Sequence, residues 1–244
     1  QLGNNKVEQA VPLVYLNNDY WVLHLDIAST TENNKIVYHY FIQNADGTKS
    51  FEAGNDKTID FNGLSNGELV IIDSWNFTGY KENTFYTSPF VNVLLKQPIH
   101  QKKVSIDKAA THVFRVKAPI LGANQTICMV GESKILGAWD AKKALMLTKV
   151  VNEDYYEISI DTTKSNFPFV YKYGIADAND QSFLTFEEGE NRVLYEPVGK
   201  DKLVIVNDGF VHLNAANWKG AGVAIPVFAL RSNLSAGVGE FADI

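Results

Sequence analysis

Apolar and polar positions alternate in short runs along most of the chain, and the runs are separated by turn residues. Tyr20-Trp21-Val22-Leu23-His24-Leu25-Asp26-Ile27 alternates in its second half, as a strand with one face buried does. Ile36-Val37-Tyr38-His39-Tyr40-Phe41-Ile42 is rich in β-branched and aromatic residues and ends at Asn44-Ala45-Asp46-Gly47, a hairpin-type turn. Glu68 to Asp73 and Phe90 to Leu95 are further strand candidates, the latter followed by the polar stretch Lys96 to Lys103. Beyond it come Val113-Phe114-Arg115-Val116, Gln125 to Val130, Tyr155 to Ile160, Phe169 to Tyr173 and Leu203 to Val206, with Leu136 to Asp140 as a loop. A helical period is almost absent. The pattern predicts an all-β chain built as antiparallel sandwiches or barrels.

The pattern also repeats. Leu2-Gly3 returns as Leu136-Gly137, and Leu69-Val70-Ile71 as Leu203-Val204-Ile205, each pair 134 residues apart. Tyr38-His39-Tyr40 returns as Tyr171-Lys172-Tyr173 at 133, and Phe51-Glu52-Ala53-Gly54 as Phe186-Glu187-Glu188-Gly189 at 135. Matches in one order at nearly one spacing indicate two copies of a small domain, since the period is far too long for a solenoid unit. The second copy carries two strands ahead of its Leu-Gly, and the first begins at Leu2-Gly3. The first copy is therefore expected to lack the counterpart of about 23 residues.

The repeated stretch Phe186-Glu187-Glu188-Gly189-Glu190-Asn191-Arg192 combines an aromatic, carboxylates, a Gly turn, an amide and a guanidinium. An aromatic face can lie on the C–H face of a sugar ring, and Glu, Asn and Arg offer the forked hydrogen bonding that neighbouring hydroxyls require. As an ordinary turn, the same residues would be a charged surface loop beside one core Phe.

Composition narrows the partners. The 244 residues carry a net charge of −6, which argues against nucleic acid. No apolar run approaches the ~18 residues of a membrane span. One cysteine, Cys128, lies in an apolar run, so no disulfide forms within the chain and a reducing, cytoplasmic setting is expected. The five histidines show no metal-ligand spacing, and no phosphate-cradling Gly loop or Gly-x-Ser-x-Gly elbow occurs, so neither cofactor nor metal is expected.

With these residues in place, the second copy resembles a starch-binding module of carbohydrate-binding family 20. Val113-Phe114-Arg115-Val116, Val130-Gly131, Leu136-Gly137-Ala138-Trp139-Asp140, Tyr171-Lys172-Tyr173 and Phe186-Glu187 through Asn191-Arg192 follow that family's order. The resemblance implies a glucan site at Trp139, Lys172, Phe186, Glu187 and Asn191. The family usually has Trp where Phe186 stands, which implies weaker stacking. In the first copy His39, Phe51 and Glu52 are the weaker counterparts, with Asn5 at the Trp139 position and Asp56 at the Asn191 position. Each of these changes removes a contact, so the second copy is expected to carry most binding. Tyr20 and Trp21 are further aromatic candidates in the first copy.

Trp218 to Ser232, followed by Ser235-Ala236-Gly237-Val238-Gly239-Glu240, resembles the opening of a 4-α-glucanotransferase barrel of glycoside hydrolase family 77, amylomaltase-like. Two starch-binding modules before such a barrel is a plant-type disproportionating layout. The implied order is a first module over 1–97, a linker over 98–111, a second module over 112–212 and the start of a (β/α)8 barrel over 213–244. A whole barrel takes about 250 residues, and the resemblance places the catalytic residues downstream of Ile244. The 244 residues are thus expected to bind α-1,4-glucans such as starch, glycogen and maltodextrins without catalysing transfer. The alternative is a non-catalytic starch- or glycogen-binding protein.

Overall fold

The computed structural model describes residues 2, 6–17, 20–26, 35–61, 68–90, 106–107, 109–122, 124–151, 153–195 and 202–213. Asn5, the Val91–Leu95 run, the Lys96–Lys103 stretch and the tail from 214, where the barrel opening is expected, lie outside these residues. The chain divides into two compact units, Gln1–Asn66 and Gly67–Ile244.

The first unit is made of antiparallel two-stranded ladders. β1 (Val14–Tyr15) pairs with β2 (Trp21–Val22), so the strand expected from Tyr20 to Ile27 is short because its partner offers two residues. β3 (Lys35–Tyr38) pairs with β6 (Lys57–Asp60), and β4 (Phe41–Gln43) with β5 (Lys49–Phe51). The expected turn closes β4 onto β5. Asp46 accepts from the Thr48 N–H and hydroxyl at 2.9 and 2.6 Å. Gly47 takes φ +83°, which only glycine adopts cheaply.

The second unit is a sandwich of two five-stranded sheets. Its strands are β7 (Glu68–Asp73), β8 (His112–Lys117), β9 (Gln125–Gly131), β10 (Leu145–Met146), β11 (Thr148–Lys149), β12 (Tyr155–Ile160), β13 (Phe169–Asp177), β14 (Phe183–Phe186), β15 (Arg192–Leu194) and β16 (Lys202–Phe210). One sheet runs β10-β9-β13-β14, with β15 also on β13; the other runs β11-β12-β8-β16-β7. Side chains two apart face inward: Phe114 and Val116, Ile127 and Met129, Tyr171, Tyr173 and Ile175, and Val204 and Val206 share one core. The ladders are antiparallel except at β16, which lies parallel to both β8 and β7. A parallel pair needs a long connection, and the chain supplies one in each case.

The β7–β16 ladder matches each residue with its own repeat counterpart. Leu69 opposes Leu203, Val70 opposes Val204 and Ile71 opposes Ile205. Lys202 reaches Glu68 at 2.8 Å and Asn207 reaches Asp73 at 2.6 Å in the same register. The strand that closes the first copy by sequence therefore extends a sheet of the second. The residues after it follow: Phe85 and Phe90 are buried in the sandwich core, Lys81 donates to the Leu213 carbonyl at 2.9 Å, and buried Glu82 meets His212 Nδ1 at 3.1 Å.

Because Phe85 fills that core, Phe85→Ala is expected to cost about 3–5 kcal/mol of stability, although it lies well before the residues that resemble the family. Urea unfolding of the 244-residue chain checks this.

His112 is fully buried, with Nδ1 between the hydroxyls of Thr111 at 3.0 Å and Thr162 at 2.8 Å. Burial pushes its pKa down to about 4, from about 6.5 when unfolded. The unfolded chain thus binds the proton first on acidification. The stability held by neutral His112 is complete above about pH 6.5 and falls by about 3 kcal/mol as the pH drops toward 4. Unfolding free energies across that range should show a shallower slope in His112→Gln than in the parent.

Candidate functional site

The Phe186–Arg192 stretch sits on one edge of β13, because β14 and β15 both pair there, one after the other. Phe186 opposes Gly174 and Arg192 opposes Tyr171. The intervening turn therefore passes Tyr173 and Lys172. The Glu187 N–H donates to the Tyr173 carbonyl at 3.0 Å, and Lys172 Nζ donates to the Gly189 carbonyl. Gly189 turns the chain with φ +85°. Strand alternation puts Phe186, Lys172 and Gly174 on the outer face and Tyr171 and Tyr173 on the core face. Phe186 is half-exposed at 36% and rests on Phe183, ring centroids 4.5 Å apart. Gly174 makes room for this pair, since a Cβ there would lie 2.6 Å from the Phe183 ring.

Trp139 arrives from the other side of β13. Gly131 opposes Tyr171 and Val130 opposes Lys172, and the chain leaves β9 at Gly131. It then forms a tight turn over Lys134–Trp139 that buries Leu136 and exposes Trp139 at 38%. Gly137, Ala138 and Trp139 take φ of +80°, +50° and +63° in succession. Two non-glycine residues in the left-handed region are costly, of order 1–3 kcal/mol each. The turn is held by Ser133, whose carbonyl accepts from Leu136 and Ala138 N–H at 2.8 and 3.1 Å.

The ladder registers thus place Lys172, Phe186 and Asn191 on one edge of β13, and the Trp139 turn leaves β9 one residue beyond Lys172's partner. Asn191 is exposed at the end of the turn, immediately before β15. Glu187 sits differently from the other four. Its side chain is buried at 4% exposure, and both oxygens are taken. Oε1 accepts from Tyr173 N–H at 3.0 Å and Arg192 Nε at 2.9 Å, and Oε2 from Arg192 Nη2 at 2.8 Å. Its geometry serves the turn rather than an open face.

Arg192, which the sequence reading left out of the site, organises it. Nη1 donates to the Asp208 carbonyl at 2.6 Å and Nη2 to the Phe210 carbonyl at 2.7 Å, and its guanidinium lies 5.0 Å from the Tyr173 ring. Burial opposes its charge, but the Glu187 bonds and the Asp208 charge outweigh burial and hold its pKa above the usual value. Buried Asp208 accepts from the hydroxyls of Tyr171 at 2.9 Å and Tyr173 at 2.7 Å. Burial raises the Asp208 carboxyl, against the pull of Arg192 and the two tyrosines. The signal for Arg192 was in the sequence, since its spacing from Glu187 recurs as Glu52 and Lys57.

The first copy repeats the geometry inside its own unit. Tyr38 opposes Lys57 and Phe41 opposes Phe51. Glu52 is buried and bonds Lys57 Nζ at 2.7 Å, and its N–H donates to the Tyr40 carbonyl at 3.1 Å. Gly54 takes φ +89°. Lys57 lies 5.9 Å from the Tyr40 ring, as Arg192 lies over Tyr173. Phe51 is exposed at 48%. His39, in the place of Lys172, is turned inward: Nε2 meets the Glu52 carbonyl at 2.9 Å and Nδ1 stands 3.4 Å from Asp56. Asn5 lies outside the described residues. Trp21 and Tyr15 meet edge to face at 5.4 Å on the β1–β2 hairpin. No group of three or more potential metal ligands occurs among the described residues, and none of their helices is long and apolar enough to cross a membrane.

Removing Arg192 would strand the buried Glu187 carboxylate. Arg192→Ala is expected to cost about 3–5 kcal/mol, whereas Trp139→Ala, on an exposed ring, should change stability by about 0.5 kcal/mol or less. Denaturant midpoints of the two variants against the parent check the contrast.

A family profile described as starch binding domain matches residues 110–204. Over its full length the chain is 28% identical, across 257 aligned residues, to the 4-alpha-glucanotransferase DPE2 of Oryza sativa subsp. japonica, and it spans 26% of that protein. Among solved structures, the Hormoconis resinae glucoamylase aligns with 43% of this chain and 17% of its own, at 20% identity and a TM-score of 0.35. The family 20 carbohydrate-binding module of the maltotetraose-forming amylase from Pseudomonas saccharophila STB07 aligns with 39% of this chain and 97% of its own, at 17% identity and a TM-score of 0.31. Residues 110–204 thus match the starch-binding family, in a chain similar along its whole length to a 4-alpha-glucanotransferase.

Proposed function

We propose that the chain is the glucan-binding region of a cytoplasmic 4-α-glucanotransferase and binds α-1,4-glucans mainly through its second copy. The observation that carries this reading is the turn from Phe186 to Asn191 laid across Lys172 within the segment that matches the starch-binding family. In the proposed complex the exposed rings of Trp139 and Phe186 stack on sugar C–H faces. Lys172 donates to hydroxyls, and Asn191 both donates and accepts. Glu187 and Arg192 act as positioning residues that fix the turn. A neutral polyol suits a protein of net charge −6, because no charge repulsion opposes it. Binding here would hold a long glucan near the site of transfer and raise its local concentration, as linked modules do. The transfer chemistry itself is assigned to a catalytic domain, not to these residues. Cys128, free and buried, suits a reducing compartment.

The first copy is proposed to contribute little. Both His39 and Lys172 bond a carbonyl of their own turn, but Lys172 keeps further N–H donors on its ammonium, whereas the second ring nitrogen of His39 faces Asp56. Trp139→Ala is therefore expected to weaken maltoheptaose binding to the whole chain by about tenfold or more, with Phe51→Ala changing it by less than about twofold. Isothermal calorimetry reads both. Unchanged affinity in folded Trp139→Ala overturns the site, and a larger loss in Phe51→Ala reverses the assignment between copies.

A further inference from the structure

Across the same turn from Lys172 lies a groove of about 250 Å³, lined by Trp75, Asn76, Tyr80, Glu188, Glu190 and His212 among others. All of these belong to the second unit, but Trp75, Asn76 and Tyr80 come from the segment after β7, outside the 110–204 match. Part of the groove's lining, His212 included, thus comes from residues outside that match.

We infer that this groove is a second saccharide subsite, taking a sugar unit of a glucan chain that continues past the Glu188–Asn191 turn from the first site. The inference rests on the proposed glucan binding. Its wall is aromatic: Tyr80, 37% exposed, meets His212 at 4.8 Å and Phe210 at 6.4 Å, and Trp75 lines the groove beside them. Its rim is made of acceptors. Glu188 and Glu190 are exposed, and their carboxylates form no ion pair among the described residues. Four carboxylates line the groove with one guanidinium: Glu187 and Asp208 are engaged with Arg192, which leaves Glu188 and Glu190 as the acceptors to which sugar hydroxyls can donate and against which an anion is repelled. The volume lies just below the ~300 Å³ at which drug-sized pockets begin, which suits a sugar ring better than a long peptide.

The turn joins the two sites physically. Lys172 holds the Gly189 carbonyl from the sheet side, while the Glu188 N–H donates to the His212 carbonyl at 2.8 Å on the groove side. Asn191 of the first site and Glu188 and Glu190 of the groove are therefore parts of one clamped loop. A glucan stacked on Phe186 and bonded to Asn191 has only this loop to cross.

The test compares maltotriose, which fills one site, with maltodecaose, which can reach both, on the whole 244-residue chain. Tyr80→Ala is expected to weaken maltodecaose binding about five- to tenfold and to leave maltotriose within about twofold. Since Tyr80 also packs on Phe210, the double variant Glu188→Gln/Glu190→Gln, on exposed side chains, is measured beside it and should show the same selective loss. Unchanged maltodecaose affinity in both folded variants, with Trp139→Ala still weakening both ligands, overturns the groove and leaves the first site standing. An equal loss for both ligands in the Glu188/Glu190 variant also overturns it. Failure of the parent chain to bind either ligand overturns the glucan reading and the groove together.

Discussion

The site depends on one buried ion pair. Arg192 binds both oxygens of Glu187 and, with its remaining donors, the carbonyls of Asp208 and Phe210. A single guanidinium thereby ties the turn, the β13 sheet and the irregular end of β16 together. Only a planar fork with five donors can serve four acceptors in one place. Burial makes the arrangement all-or-nothing, because an unpaired carboxylate or guanidinium at this depth would be far more costly than the pair is favourable. Phe186 and Asn191 keep their places at the surface because the residues between and beside them are held from below.

The first copy shows what this interaction needs. Lys57 replaces Arg192 and reaches one oxygen of Glu52, and the turn, the glycine and the ring under the cation are all retained. The scaffold therefore survives the loss of the fork. What changes is the outer face. His39 bonds the Glu52 carbonyl and faces Asp56, whereas Lys172 bonds the Gly189 carbonyl and keeps further N–H donors. The two copies keep the buried pair and differ in the exposed contacts, as expected when packing constrains the buried residues and not the exposed ones.

The boundary between the copies in sequence is not the boundary in space. By the repeat, residues 68–90 belong to the first copy, yet β7 extends a sheet of the second unit and Phe85 and Phe90 enter its core. β7 is apolar on successive positions and resembles β16 residue for residue, so the two pair in register with like beside like. An edge strand with open N–H and C=O groups gains a partner by this addition. The segment that follows is thereby carried to the Glu188–Asn191 turn, where Trp75 and Tyr80 stand.

Strand class, duplication and the pairing of Phe186 with Glu187 were legible from residue order alone. Alternation reports which face of a strand is buried, and a repeat needs no coordinates to be counted. Trp139, Lys172, Phe186 and Asn191 were named from motif order, and the ladder registers bring Lys172, Phe186 and Asn191 to one edge of β13. Tertiary structure alone decided the role of Glu187, because a carboxylate on a turn and a carboxylate locked under Arg192 read identically in one dimension. It alone put β7 parallel to β16 and brought Trp75 and Tyr80 to a turn more than a hundred residues away. Sheet edges are chosen by which backbone groups remain unpaired once the core has formed, and that quantity exists only in three dimensions.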